Sequence, residues 1–164
     1  MKKDLSVAAI ASVLMIAVLH WQGSSLQTAI SPAGIIDLEF AKSQHRLIQL
    51  LSVWNISVVT TNIWLDFLFI VAYTIFLSIA SEYCAMKWPV GIMQDMGHTL
   101  ARVAYMAGIL DIAENLLMLQ SIAGNFTATS LQLTYYCAAV KFTLAAIILL
   151  YLLISLPVVI RKNK

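Results

Sequence analysis

The sequence predicts an all-α protein, a four-transmembrane-helix bundle with an extracytoplasmic interfacial helix between its first and second spans. Three observations lead there. Of the 164 residues 61% are hydrophobic and 11% charged, against about 45–50% and about 25% in soluble domains. Four stretches are long and apolar enough to cross a bilayer, which takes about 20 residues. Lys and Arg gather on one side of the alternation those stretches create.

The spans run from about Leu5 to Trp21, Thr60 to Tyr83, Leu100 to Ile122 and Tyr135 to Ile160. Lipid offers the backbone no hydrogen-bond partner, so helices are the economical reading. One integral membrane domain covering 1–164 is expected, with the lipid bilayer as its first partner. Met1-Lys-Lys ahead of an apolar run also has the layout of a signal peptide, with Gly23-Ser-Ser25 as a passable cleavage site; a retained first helix is the expectation. Lys2, Lys3, Lys87, Arg161, Lys162 and Lys164 fall on one side, with Arg102 just inside the third span. Only Lys42 and Arg46 fall on the other. The positive-inside rule then puts both termini in the cytoplasm of a cell membrane, most simply the bacterial inner membrane. Trp21, Trp54, Trp64, Trp88 and the Tyr135-Tyr136 pair stand near span ends, as interfacial aromatics do.

The segment from about Gln22 to Val59 is too charged to span. Ser31-Pro32 suits a helix start, and Ile35, Leu38, Leu47, Leu51 and Trp54 share a face if the helix continues. That predicts an interfacial helix on the outer surface; a loop packed over the bundle is the alternative. Cys84 and Cys137, the only cysteines, fall at opposite ends of the membrane, so no disulfide is expected. The net charge of +2 gives no footing for nucleic acid.

The stretch Gly108-Ile-Leu-Asp-Ile-Ala-Glu-Asn-Leu-Leu-Met-Leu119 sets two acids and an amide inside an oily helix. Asp66 in the second span, Asp111, Glu114 and Asn115 in the third and Lys141 in the fourth all lie roughly 9–16 Å below the outer end, at 1.5 Å per residue. Asp111 and Glu114 are three apart and Asn115 follows at four, so they share a helix stripe. Ala104, Ala107 and Gly108 continue it with small residues that let helices approach. Asp66 leads at i+7 to Tyr73. Charges facing lipid would cost several kcal/mol (approximately), so these faces should turn inward. Three acids against one lysine cannot all be dry, ionised and unoccupied. An internal acidic pocket opening outward is therefore expected, with Asp37 and Glu39 of the loop extending its lining. Helix-packing glue is the bland alternative.

Other residues have plainer readings. Arg102 snorkels to the cytoplasmic edge, and His20 is a helix-end residue. Tyr73 and Tyr105 are buried aromatics with satisfied hydroxyls, and Met93, Met96, Met106 and Met118 are core filler. Asn55-Ile-Ser and Asn125-Phe-Thr match the glycosylation triplet, a weak pattern. Phosphate loops, zinc-type Cys or His pairs and nucleophile elbows are absent. Asp111-x-x-Glu114 lacks the His of a di-iron motif. Three carboxylates and Asn115 offer oxygen ligands for a hard cation, but no spacing demands a metal, and no cofactor is indicated.

Asp37-Leu-Glu39-Phe, Leu65-Asp-Phe-Leu-Phe69 with Tyr73, Leu110-Asp-x-x-Glu-Asn115 and Lys141-Phe together resemble a set of small bacterial four-helix membrane proteins. The likeness covers most of the chain and implies a shared site without naming a reaction. A looser, purely architectural likeness is to the sterol isomerase and sigma-2 receptor superfamily. Those proteins have four helices, cytoplasmic termini and buried acids that engage an amine or a carbocation-like sterol. Three functions remain open. The first is binding, or enzymatic work on, a small amphiphilic or cationic ligand, through Asp66, Asp111, Glu114 and Asn115 with Lys141 as counter-ion. The second is a proton- or cation-coupled carrier, which four helices would support only as a homo-oligomer. The third is a structural or accessory subunit.

Overall fold

A computed structural model describes residues 1–162. Lys164, counted above among the basic residues of one side, lies outside the described residues. Six α-helices and one 3-10 turn follow in order: α1 Lys2–Gln22, the turn Ser24–Leu26, α2 Ile36–Glu39, α3 Gln44–Val53, α4 Ile56–Ala85, α5 Ile92–Ile122 and α6 Ala128–Arg161. No strand occurs among the described residues. α1, α4, α5 and α6 are long and apolar enough to cross a membrane, as a multi-pass membrane protein requires.

Three of these helices begin earlier than hydropathy suggests, because capping rather than apolarity sets their starts. The Asn55 side chain accepts from the Ser57 N–H and opens α4 four residues ahead of Thr60. Thr127 and Ser130 form a reciprocal capping box that opens α6 at Ala128, satisfying N–H groups that the first turn leaves unpaired. Gly91, with φ 147°, takes a backbone turn that side-chain-bearing residues avoid and lets α5 start at Ile92. α5 packs between α4 and α6, and α1 lies against α4. Gly108 lets α4 and α5 close up: a Cβ there would sit 2.5 Å from the Thr74 hydroxyl.

The segment between α1 and α4 departs from expectation. It is not one interfacial helix. α2 ends at Glu39, and α3 restarts where the Ser43 side chain accepts from the Arg46 N–H. The break folds the chain back over the helix ends. Leu26, Leu38, Leu47, Leu50 and Trp54 are buried there with Ile63, Met118 and Leu131 of the long helices. Trp54 is thus an interior residue, not an interfacial one. Its indole Nε1 donates to the Leu26 carbonyl at 2.8 Å and to the Ser31 hydroxyl at 3.0 Å. Trp21 and Trp64, by contrast, are exposed. Tyr105 is exposed too, not buried as the sequence suggested. Cys84 and Cys137 are free thiols, both buried.

Candidate functional site

Asp66 of α4, Asp111 and Glu114 of α5 and Lys141 of α6 meet in one layer, and the loop adds Glu39 from above. Lys141 of α6 is at the centre. Its ammonium donates to Asp111 Oδ1 at 2.7 Å and lies 2.9 Å from Glu114 Oε2 and 3.5 Å from Glu39 Oε2. All four side chains are buried. The contacts differ in kind. Asp111 is fully engaged, since the Tyr73 hydroxyl donates to its second oxygen at 2.8 Å. Both Glu114 oxygens and Glu39 Oε2 lie near charge but accept no directed hydrogen bond. Their contacts with Lys141 are ion pairs whose angles fall short of a directed hydrogen bond, and buried acceptors left this way hold unused capacity.

Asp66 reaches the layer from α4. Asn115, next to Glu114 on α5, donates to Asp66 Oδ2 at 2.7 Å and ties the two helices. Asp66, Asp111, Glu114, Asn115, Lys141 and Tyr73 therefore meet across α4, α5 and α6, while Glu39 arrives from α2. Four carboxylates face one ammonium, an excess of three negative charges if all are ionised. Burial raises the Glu39 carboxyl above the ordinary carboxylate range, and the Lys141 charge works against that shift.

Asp37 does not join them. One of its oxygens accepts from Arg46 at 2.8 Å and the other from the Ala33 N–H at 2.9 Å. It anchors the turn made by Gly34, at φ 63°, and in doing so orients α2. Two residues further on, Glu39 points to Lys141 instead. Phe40 then seats the end of α2 on α6, with ring centroids 5.5 Å from Tyr135 and 6.0 Å from Phe142.

Two cavities adjoin the cluster, and Ile36, Glu39 and Asp66 border both. One, of about 210 Å³, lies toward the loop among His20, Gln27, Gly34, Asn62 and Asn115. The other, of about 490 Å³, runs between α1 and α6 beside Tyr73, Asp111 and Lys141.

Asn62 was not singled out from the sequence. Its amide donates to the Leu19 carbonyl at 3.1 Å and to the Gln22 side chain at 2.7 Å, fastening α1 to α4. The signal was present, because Asn62 precedes Asp66 by four residues and shares its face. At the opposite end of the helices His98 Nδ1 and Glu82 Oε2 stand 2.9 Å apart, joining α4 and α5. Among the described residues no group of three or more His, Cys, Asp or Glu side chains is arranged to hold a metal ion.

No family model, curated protein or solved structure matches this chain.

Proposed function

We propose that this protein binds a small amphiphile with a cationic head, which the acidic cluster receives inside the loop-side half of the membrane. In this reading the loop is extracytoplasmic, both termini are cytoplasmic and the host is the bacterial inner membrane. The observation that carries it is the position of Glu39 and Asp66. Both border open space; Glu39 Oε2 accepts no directed hydrogen bond, and Asp66 is held through one oxygen by the Asn115 amide. An intramembrane acid without a full set of partners is functional by default.

The roles divide accordingly. Asp111, Lys141 and Tyr73 satisfy one another and hold α4, α5 and α6 together, which is the packing role foreseen as the plain alternative. Glu39, Asp66 and Glu114 supply the surplus negative charge for a ligand, and Asn115 fixes Asp66. A primary ammonium brings three N–H donors and one positive charge, which suits this set of acceptors. The helix-tying contacts of Asp111, Lys141 and Tyr73 also suit an accessory subunit; the open space beside Glu39 and Asp66 is what favours a ligand.

Thermal unfolding in a nonionic detergent tests the proposal. Decylamine is expected to raise the melting temperature, while decanol at equal concentration leaves it unchanged. A ligand at a hundred times its Kd stabilises by about 2.7 kcal/mol. Glu39→Gln and Asp66→Asn should each reduce the amine shift. Equal shifts from amine and alcohol, or an amine shift indifferent to both substitutions, would refute it.

A further inference from the structure

We infer that the ligand's hydrocarbon chain lies in the cleft between α1 and α6, and that the ligand enters sideways from the leaflet on the loop side. This rests on the head-binding role proposed above for Glu39 and Asp66 and extends it to the tail and the route.

The cleft has an amphiphile's polarity. Of its polar groups, Glu39, Asp66, Asp111 and Lys141 lie toward its loop end, and Tyr73, deeper on α4, gives its hydroxyl to Asp111. Ile16 stands about level with Asp66; further along, the walls are Val13 and Ala9 on α1, Phe76 and Leu77 on α4 and Ala145 and Leu149 on α6. Ser12 also lines it, but its hydroxyl is spent on the Ala8 carbonyl of its own helix at 2.8 Å. From Lys141 to Leu149 the apolar run measures roughly 12 Å at 1.5 Å per residue. A hydrocarbon chain is the occupant that such a wall accepts without leaving polar groups unpaired.

Its direction matches the bilayer. Asp66 and Lys141 stand nearer the loop-side ends of α4 and α6, and the apolar walls lead from them toward mid-membrane. A lipid of the loop-side leaflet has the same order, head above and chain below, so it needs no inversion to enter.

The cleft also opens on the right surface. α1 packs on α4, and α6 packs chiefly on α5, so the two walls stand apart over α4. Val13 is 66% exposed and Leu149 48% exposed, which puts the mouth on the lipid-facing perimeter. The loop-side cavity is the smaller and carries polar lining such as His20, Gln27 and Asn62. It suits a head in contact with water and not a chain.

The experiment uses the full-length protein in phosphatidylcholine vesicles and a long-chain primary amine with a mid-chain diazirine. Irradiation followed by peptide mapping should place adducts on α1 near Val13 and on α6 near Ala145. The alcohol of equal length should label these positions much less. Ala145→Trp fills the cleft and should cut that labelling by about tenfold, which corresponds to about 1.4 kcal/mol. Ala9→Trp fills it from the other wall and serves if the first variant does not fold. Butylamine, too short to need the cleft, should still shift the melting temperature of either variant. Adducts around Gln27 and Gly34, equal labelling by amine and alcohol, or labelling unaffected by both tryptophans would overturn the chain's placement. If the butylamine shift and its dependence on Glu39 survive such a result, the head site stands without the cleft. If no amine-specific shift exists at all, the head site fails and the chain placement falls with it.

Discussion

Replacing Lys141 by Met removes the only base that the described residues bring to the buried layer and keeps most of the side chain's apolar volume. Three carboxylates then lose their positive neighbour, at 2.7 Å for Asp111, 2.9 Å for Glu114 and 3.5 Å for Glu39. Breaking a buried pair from one side costs about 3–5 kcal/mol, because the remaining charge keeps its desolvation cost without its partner. Asp111 retains the Tyr73 hydroxyl, which places the expectation at the lower end, about 3 kcal/mol. For a chain of this size each kcal/mol corresponds to about 2–4 °C in Tm, so the drop should be on the order of 10 °C.

The deficit should also depend on pH in a definite sense. The Glu39 carboxyl is already held high by burial, and the lysine is an influence that lowers it. A carboxyl raised in the folded state binds its proton more tightly there than in the unfolded chain. Stability is then greatest in acid and falls as pH rises from the unfolded value through the folded one. Without Lys141 that window widens, so the gap between variant and parent should be small near about pH 5 and grow toward about pH 8. Thermal melts of both proteins across that range are the assay. Lys141→Met combined with Asp111→Asn should cost less than the sum of the single changes, since the two share one interaction. A Lys141→Met protein within about 0.5 kcal/mol of the parent at every pH, the range of a neutral surface change, would refute this account of the cluster.

Two further outcomes test the frame that positions the site. Gly108→Val should destabilise by about 1–3 kcal/mol through overpacking, because its Cβ would meet Thr74 Oγ1 at 2.5 Å; chemical denaturation in detergent checks it, and an unchanged or more stable variant would contradict the close α4–α5 approach. Trp54→Phe removes the indole donor to Leu26 and Ser31 and should cost about 1 kcal/mol, with faster proteolysis between Gln27 and Gln44 than in the parent; an unchanged cleavage rate would mean that the indole does not hold the cap in place.

What the sequence determined by itself follows from local periodicity. A helix advances by a fixed rise and angle per residue, so the spacing of Asp111, Glu114 and Asn115 implies a shared stripe and the apolar runs imply the four long helices. Depth along those helices made Lys141 the one base available to the acids, and the contact with Asp111 is the consequence. Small residues on the same stripe marked the close approach at Gly108 for the same reason. The tertiary structure decided what depended on chain reversals. Asp37 and Glu39 are two residues apart and equally acidic, yet one braces Arg46 and the other meets Lys141. Nothing local separates them, because the difference comes from where the Gly34 turn and the break before Ser43 aim α2. The same reversals buried Trp54. Whether α1 would lean on α4 and leave a cleft toward α6 was equally beyond reach, since α1 is apolar on every side and its own pattern prefers no face. Its placement comes from partners distant in sequence, chief among them the Asn62 bonds to Leu19 and Gln22.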